Sequence, residues 1–282
     1  ASDAATPVLD EANGAELLWG AARVACATSE CCGDGAIMED AQFLAPWLLV
    51  DPAARPVSLF GVCDGHGGPR AAAYAAQALP QLVRTRLPEA WASNSKNSNE
   101  KAVDEDSAGV VARVLRASLL EADREILHMA TAGDVQWRDG ATALVVALLG
   151  RRELVVANVG DCRAVVGAVR RDPATASWTC TPVVLTRDHH ASEFVVLFPL
   201  FSLHLVSCFF LLVHPLKSPL EAARITEAGG TVVAGRVFGM LQVSRSLGDA
   251  RFKGSGVTAE PELVRYVLRS SSPDRNSSSS SS

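Results

Sequence analysis

Apolar residues fall into short clusters and alternations before they fall into helical spacing. Residues 21–27, 41–50 and 56–63 have this strand-like pattern, and the last ends at Cys63-Asp64-Gly65-His66-Gly67-Gly68. Gly68-Pro69 then opens a helix predicted to run to about Leu87, with Pro80 expected to kink or split it. Residues 93–106 are polar and read as a solvated, disordered loop. Val110, Val111, Val114, Leu115, Leu119 and Leu120 recur at helical spacing and predict a second helix over 107–131. Three further apolar runs, 141–149, 153–159 and 162–169, are joined by short turns and predict an antiparallel meander. A strand is expected over 181–186. A helix is expected over 219–228, with Ser218 as N-cap and Gly229-Gly230 as the stop. Strands on either side of two long helices imply a layered α+β domain.

Two segments stand outside this pattern. Phe194 to Val213 is a run of twenty residues without a charge, long enough to cross a bilayer as a helix. Pro199, His204 and two serines weaken that reading, and the run is taken as a buried apolar insertion over 193–217. Residues 269–282 are mostly serine and cannot bury a core. The expected organisation is an N-terminal segment 1–19, one domain over 20–268 carrying that insertion, and the serine-rich tail.

Composition narrows the function classes. A length of 282 residues with 48% hydrophobic and 20% charged content suits one large globular domain. The net charge of −5 and the lack of a basic stripe argue against a nucleic-acid partner. Cys26, Cys31, Cys32, Cys63, Cys162, Cys180 and Cys208 are odd in number and show no zinc-type spacing. They read as reduced thiols of a cytoplasmic or nuclear protein. The acidic residues of the first 22 positions do not form a secretory signal.

Chemistry concentrates in two acidic clusters, Met38-Glu39-Asp40 and Asp64-Gly65-His66. Carboxylates at the end of a buried strand are costly unless paired or metal-bound, and hard oxygen donors suit Mg²⁺ or Mn²⁺. His66 could move a proton. Taken alone, Asp64-Gly65, Asp139-Gly140 and Gly160-Asp161 are turn dipeptides, and Asp249 reads as a structural residue of a nearby loop. Arg236 and Arg245 are candidate phosphate contacts, but the phosphate-binding residues are not fixed by the sequence.

The motifs together resemble the type 2C, metal-dependent serine/threonine protein phosphatases, and among them a plant-like member. The stretches stand in the family's order: Met38-Glu39-Asp40, Phe60 to Gly68, Asp139 to Ala143, Ala157 to Ala164, Leu185 to His189, Glu221 to Ile225, Ala228-Gly229-Gly230, Arg236 to Gly239, Ser244 to Asp249 and Ala259 to Glu262. The resemblance implies two packed antiparallel β-sheets flanked by helices, an α-β-β-α sandwich. It implies two Mg²⁺ or Mn²⁺ ions and a bridging water that attacks phosphoserine or phosphothreonine in protein substrates. It also implies metal roles for Glu39, Asp64 and the Gly65 carbonyl, a weaker third-metal role for Asp161, and Asp40 orienting metal-bound water. His66 is then the general acid. The implied protein is a monomer acting on phosphoproteins.

Departures from the family pattern open an alternative. Gly35 stands where the family carries a phosphate-holding arginine. After Ala259-Glu260-Pro261-Glu262 no Asp-Gly-x-Trp-Asp stretch or Asp-Asn pair follows, so the expected sandwich lacks its C-terminal strands and metal aspartates. The alternative is a catalytically impaired, phosphatase-like binding protein.

Overall fold

The computed structural model describes residues 15–19, 22–26, 37–49, 56–97, 106–132, 137–150, 152–172, 174–175, 177–190 and 219–268. The apolar insertion, the serine tail and Gly35 lie outside the described residues. Among the described residues, strands β1 (Ala15–Trp19) and β2 (Ala22–Cys26) pair only with each other. The sequence pattern identifies the second of them and misses the first.

The central layer is a five-stranded antiparallel sheet. It contains β3 (Ala41–Leu49), β4 (Val57–Cys63), β7 (Ala143–Leu149), β8 (Glu153–Val159) and β14 (Glu262–Val267), in the order β14-β8-β7-β4-β3. A three-stranded ribbon extends its functional end: β5 (Gly65–His66), β6 (Gly140–Ala141) and β13 (Leu247–Gly248), with β6 in the middle. Strand β4 pairs on both sides, and Val57, Ser58 and Leu59 are almost wholly buried. That explains its continuous apolar run rather than an alternation.

Two long helices cover one face. Helix α1 (Arg70–Asn97) contributes Ala71, Ala72, Ala75, Leu79, Val83 and Leu87 to the core. Helix α2 (Ser107–Ala132) contributes Val111, Val114, Leu115, Leu119 and Ile126. Asp106 caps α2, its Oδ1 accepting the Gly109 N–H at 2.9 Å. Helix α1 is not split at Pro80, and it contains Pro88 as well. Each proline removes a backbone donor, but Leu79, Val83 and Leu87 lie one turn apart on the buried face, and their packing outweighs the loss. The helix also runs through Ser93 to Asn97, where the polar composition predicts a loop. Propagating an existing helix needs no new nucleus, so residues with poor propensity are carried along.

The opposite face of the sheet is covered by the hairpin of β9 (Val165–Arg171) and β10 (Trp178–Val184). Val166 and Val183 of the hairpin pack with Leu144, Val156 and Leu185. The predicted three-strand meander is therefore corrected: β7 and β8 pair, but β9 leaves the sheet and pairs with β10. Gly160, with φ of 106°, turns the chain out, and the Asn158 side chain holds that turn by donating to the carbonyls of Gly160 and Arg187. The layering of helices, sheet and sheet follows, and the α+β class with antiparallel sheets holds.

A smaller cluster joins α3 (Pro219–Glu227), β11 (Val232–Val233), β12 (Arg236–Val237) and α4 (Ala250–Lys253) around Ile225, Val237, Phe252 and Val257. Glu221 of α3 is its electrostatic hub. The side chain is 3% exposed and accepts hydrogen bonds from Arg245, Arg224 and Ser244. Burial alone would raise the Glu221 pKa. The hydrogen bonds from Arg245, Arg224 and Ser244 outweigh it and hold the carboxyl at about 2. Among the described residues no helix is long and apolar enough to cross a membrane.

Two outcomes test this packing. Leu59 is fully buried between the helices and the sheet, so Leu59→Ala should lower unfolding free energy by about 2–5 kcal/mol in urea titrations, with an unchanged m-value. Glu221 binds its proton less readily folded than unfolded, so its contribution is present above the ordinary carboxyl range and lost as pH falls towards 2. Parent protein should lose on the order of 3 kcal/mol more than Glu221→Gln between about pH 5 and pH 2. Parallel stability–pH curves for the two would count against this network.

Candidate active site

Strand register builds the site. In the β3–β4 pair, Ala41 stands opposite Cys63. Continuing that antiparallel register beyond the strand ends places Asp40 beside Asp64 and Glu39 beside Gly65. The contacts agree. A β-carbon on Gly65 would lie 2.2 Å from the Glu39 carbonyl oxygen, so only glycine lets the two segments approach this closely. Asp40 lies near enough to Asp64 to raise that residue's pKa.

Asp64 is held on its other side by Thr142. The Asp64 N–H donates to Thr142 Oγ1 at 3.0 Å, and the Thr142 N–H donates to the Asp64 carbonyl at 2.9 Å. Thr142 in turn packs on Gly160, which fixes the start of the turn that carries Asp161. Desolvation and the charges of Asp40 and Asp161 push the Asp64 pKa up; His66 partly offsets this. A divalent cation would relieve that repulsion, and the oxygen-only donor set of Glu39, Asp40, Asp64, Asp161 and the Gly65 carbonyl suits Mg²⁺ or Mn²⁺. Among the described residues no three His, Cys, Asp or Glu side chains stand at metal-ligating spacing.

His66 follows on β5. In the small ribbon, His66 lies opposite Gly140, and Gly140 lies opposite Gly248. No side chain fills the two positions beside the imidazole. Its Nε2 reaches across to Asp249 Oδ2 at 2.8 Å. A β-carbon on Gly140 would sit 2.3 Å from that carboxylate oxygen and 2.4 Å from His66 Nε2. Burial would lower the His66 pKa; the hydrogen bond to Asp249 and the charges of Asp249, Asp64 and Glu39 reverse this and raise it.

The supporting residues include some that the sequence reads as plain turns. Asp139 Oδ2 accepts the Arg70 N–H at 3.0 Å, capping α1, and the Arg70 guanidinium grips the same carboxylate while stacking 4.5 Å from the Trp137 ring. Asp139 and Gly140 therefore form a cap and a strand. Buried Asp123 accepts the Gly248 N–H and the Lys253 ammonium, both at 2.8 Å, and anchors the loop that carries Asp249. Arg245 is not free to meet a phosphate: it is committed to Glu221 and the Glu260 carbonyl. Arg236 bonds to Met240 and Gln242. His189 is buried and accepts the Gly160 N–H on Nδ1; burial first, then the neighbouring arginines, hold its pKa down at about 4, so it is a structural imidazole.

Known proteins resemble this chain over most of its length. The family described as "Protein phosphatase 2C" matches residues 24–194 and 213–274. The chain is 34% identical over 243 residues to "Probable protein phosphatase 2C 67" of Oryza sativa subsp. japonica, covering 82% of this chain and 54% of that protein. It is 32% identical over 212 residues to the bovine (Bos taurus) "Integrin-linked kinase-associated serine/threonine phosphatase 2C", covering 75% of this chain and 46% of that protein. The chain thus spans about half the length of these curated relatives. The crystal structure of a serine-threonine phosphatase 2C from Toxoplasma gondii superposes with a TM-score of 0.58 at 19% identity, over 93% of this chain and 76% of that one, and shows the same fold. The ordered motifs, the layered sheets and the matched residues agree: the chain belongs to the protein phosphatase 2C family.

Proposed function

We propose that this protein hydrolyses phosphoserine and phosphothreonine in protein substrates with the help of Mg²⁺ or Mn²⁺. The observation that carries the reading is the β3–β4 register, which sets Glu39 and Asp40 against Gly65 and Asp64 with His66 one residue further on. Glu39, Asp64 and the Gly65 carbonyl would hold divalent cations, with Asp161 at an outer position and Asp40 steadying the bound water. Bound cations would supply Lewis-acid charge that acidifies water and offsets the phosphoryl charge.

The chain's own groups do the rest. Thr142 holds both the N–H and the carbonyl of Asp64, which fixes the backbone from which that carboxylate projects. His66 stands next to this acidic cluster, and the surrounding carboxylates favour its protonated form. A protonated imidazole here can neutralise the departing serine or threonine oxygen. The substrates are phosphoproteins by family, and the relatives named above are themselves called phosphatases.

Phosphate release from a phosphothreonine peptide should require added Mn²⁺ or Mg²⁺. Asp64→Asn should reduce it at least about 100-fold, the equivalent of several kcal/mol of lost charge stabilisation. Calorimetric titration with Mn²⁺ should show the matching loss of cation binding, while circular dichroism stays that of the parent. Phosphopeptide binding without release by the intact chain, at saturating Mn²⁺, would overturn the enzymatic reading in favour of a binding role.

A further inference from the structure

We propose that Asp249 is a positioning residue for catalysis: it holds His66 by Nε2, so that Nδ1 is the atom that delivers the proton to the leaving oxygen. The inference rests on the phosphatase reading above and adds a residue and an atom to it.

Four independent features of the chain converge on the pair. The Asp249 side chain is 3% exposed, yet one of its oxygens lies 2.8 Å from His66 Nε2. Residue 249 adopts a left-handed backbone, φ 52° and ψ 45°, which aspartate tolerates better than most side chains but which still needs support. That support is present: the Asp249 N–H donates to the Asp139 carbonyl at 3.0 Å, and the preceding Gly248 N–H is held by Asp123. Finally, Gly140 leaves open the space through which the two side chains meet.

A carboxylate buried in this way, beside a ring 33% exposed, fixes which edge of the imidazole is inward. Nε2 is committed to Asp249, so proton exchange with a substrate must use Nδ1. A water oxygen bonds to phosphorus as the bond from phosphorus to the serine or threonine oxygen breaks; that oxygen takes the Nδ1 proton, and the proton shed by the attacking water leaves with the inorganic phosphate or passes to solvent. His66 is left neutral, with Nε2–H still donating to Asp249, and solvent water returns a proton to Nδ1. Asp249 gains and loses nothing in the cycle. It is not a ligand of the cation cluster; it acts through the ring.

Leaving-group dependence tests this. A serine oxygen leaves badly without a proton, whereas p-nitrophenolate leaves well without one. Asp249→Ala should lower kcat on a phosphoserine peptide about 10–100-fold with little change in KM. Its loss on p-nitrophenyl phosphate should be at least about tenfold smaller. Asp249→Asn, which tolerates the left-handed backbone and keeps an oxygen acceptor, should recover part of the loss. In a His66→Ala background, Asp249→Ala should add no further loss. Equal losses on the two substrates, or full additivity with His66→Ala, would overturn the assignment. Nitrogen-15 NMR of the His66 ring reads the pair without turnover: the neutral ring should carry its proton on Nε2 in the parent and lose that preference in Asp249→Ala. Identical ring signals in both proteins would overturn the pairing. A parent chain that hydrolyses neither substrate would instead overturn the phosphatase reading, and the ring measurement would still decide whether Asp249 holds His66.

Discussion

Antiparallel pairing of β3 with β4 is the constraint from which the site follows. Once Ala41 is opposite Cys63, the acidic residues just beyond each strand end have nowhere to go but beside one another. A slip of one residue would turn Phe43 and Leu59 away from the helices and destroy the core at the same time. Apolar burial and the convergence of carboxylates are therefore set by the same hydrogen-bond ladder. The core stabilises a register that the charges, left to themselves, would oppose.

The opposing cost is distributed over a rigid surround. Thr142 clamps the Asp64 peptide, Asp139 caps α1 through Arg70, and Asp123 with Lys253 fixes the approach to Asp249. Each of these pairs one buried polar group with a partner from a distant part of the chain. Such contacts contribute modestly to net stability, but leaving any one partner unmet is expensive. They act as locators, which is what a site needs if its groups are to stay in place before the substrate arrives.

Much of this was legible in the sequence. The apolar runs locate the sheet strands β2, β3, β4, β7 and β8, the helical spacing locates α2, and the two acidic clusters locate the centre of the site. What escaped was set by contacts between segments far apart. Pro80 sits inside α1 because buried leucines on either side outweigh a lost donor. Strand β9 crosses to another layer because of a single positive-φ glycine and the Asn158 side chain. Asp139 and Asp249 look like turn aspartates because their partners, Arg70 and His66, lie 69 and 183 residues away. Local chemistry names a residue's possibilities; only the register of a three-stranded ribbon, His66 against Gly140 against Gly248, selects among them.

That ribbon gives Gly140 an unusual standing. Its hydrogen atom occupies the crossing point of a proton donor and its anchor, and the smallest side chain, a single methyl, would displace both. A residue that touches no substrate and carries no functional group thus governs whether the acid can be assembled. In a mutational scan scored by turnover, intolerance at this position would mimic that of a reacting group, although the quantity being protected there is empty volume.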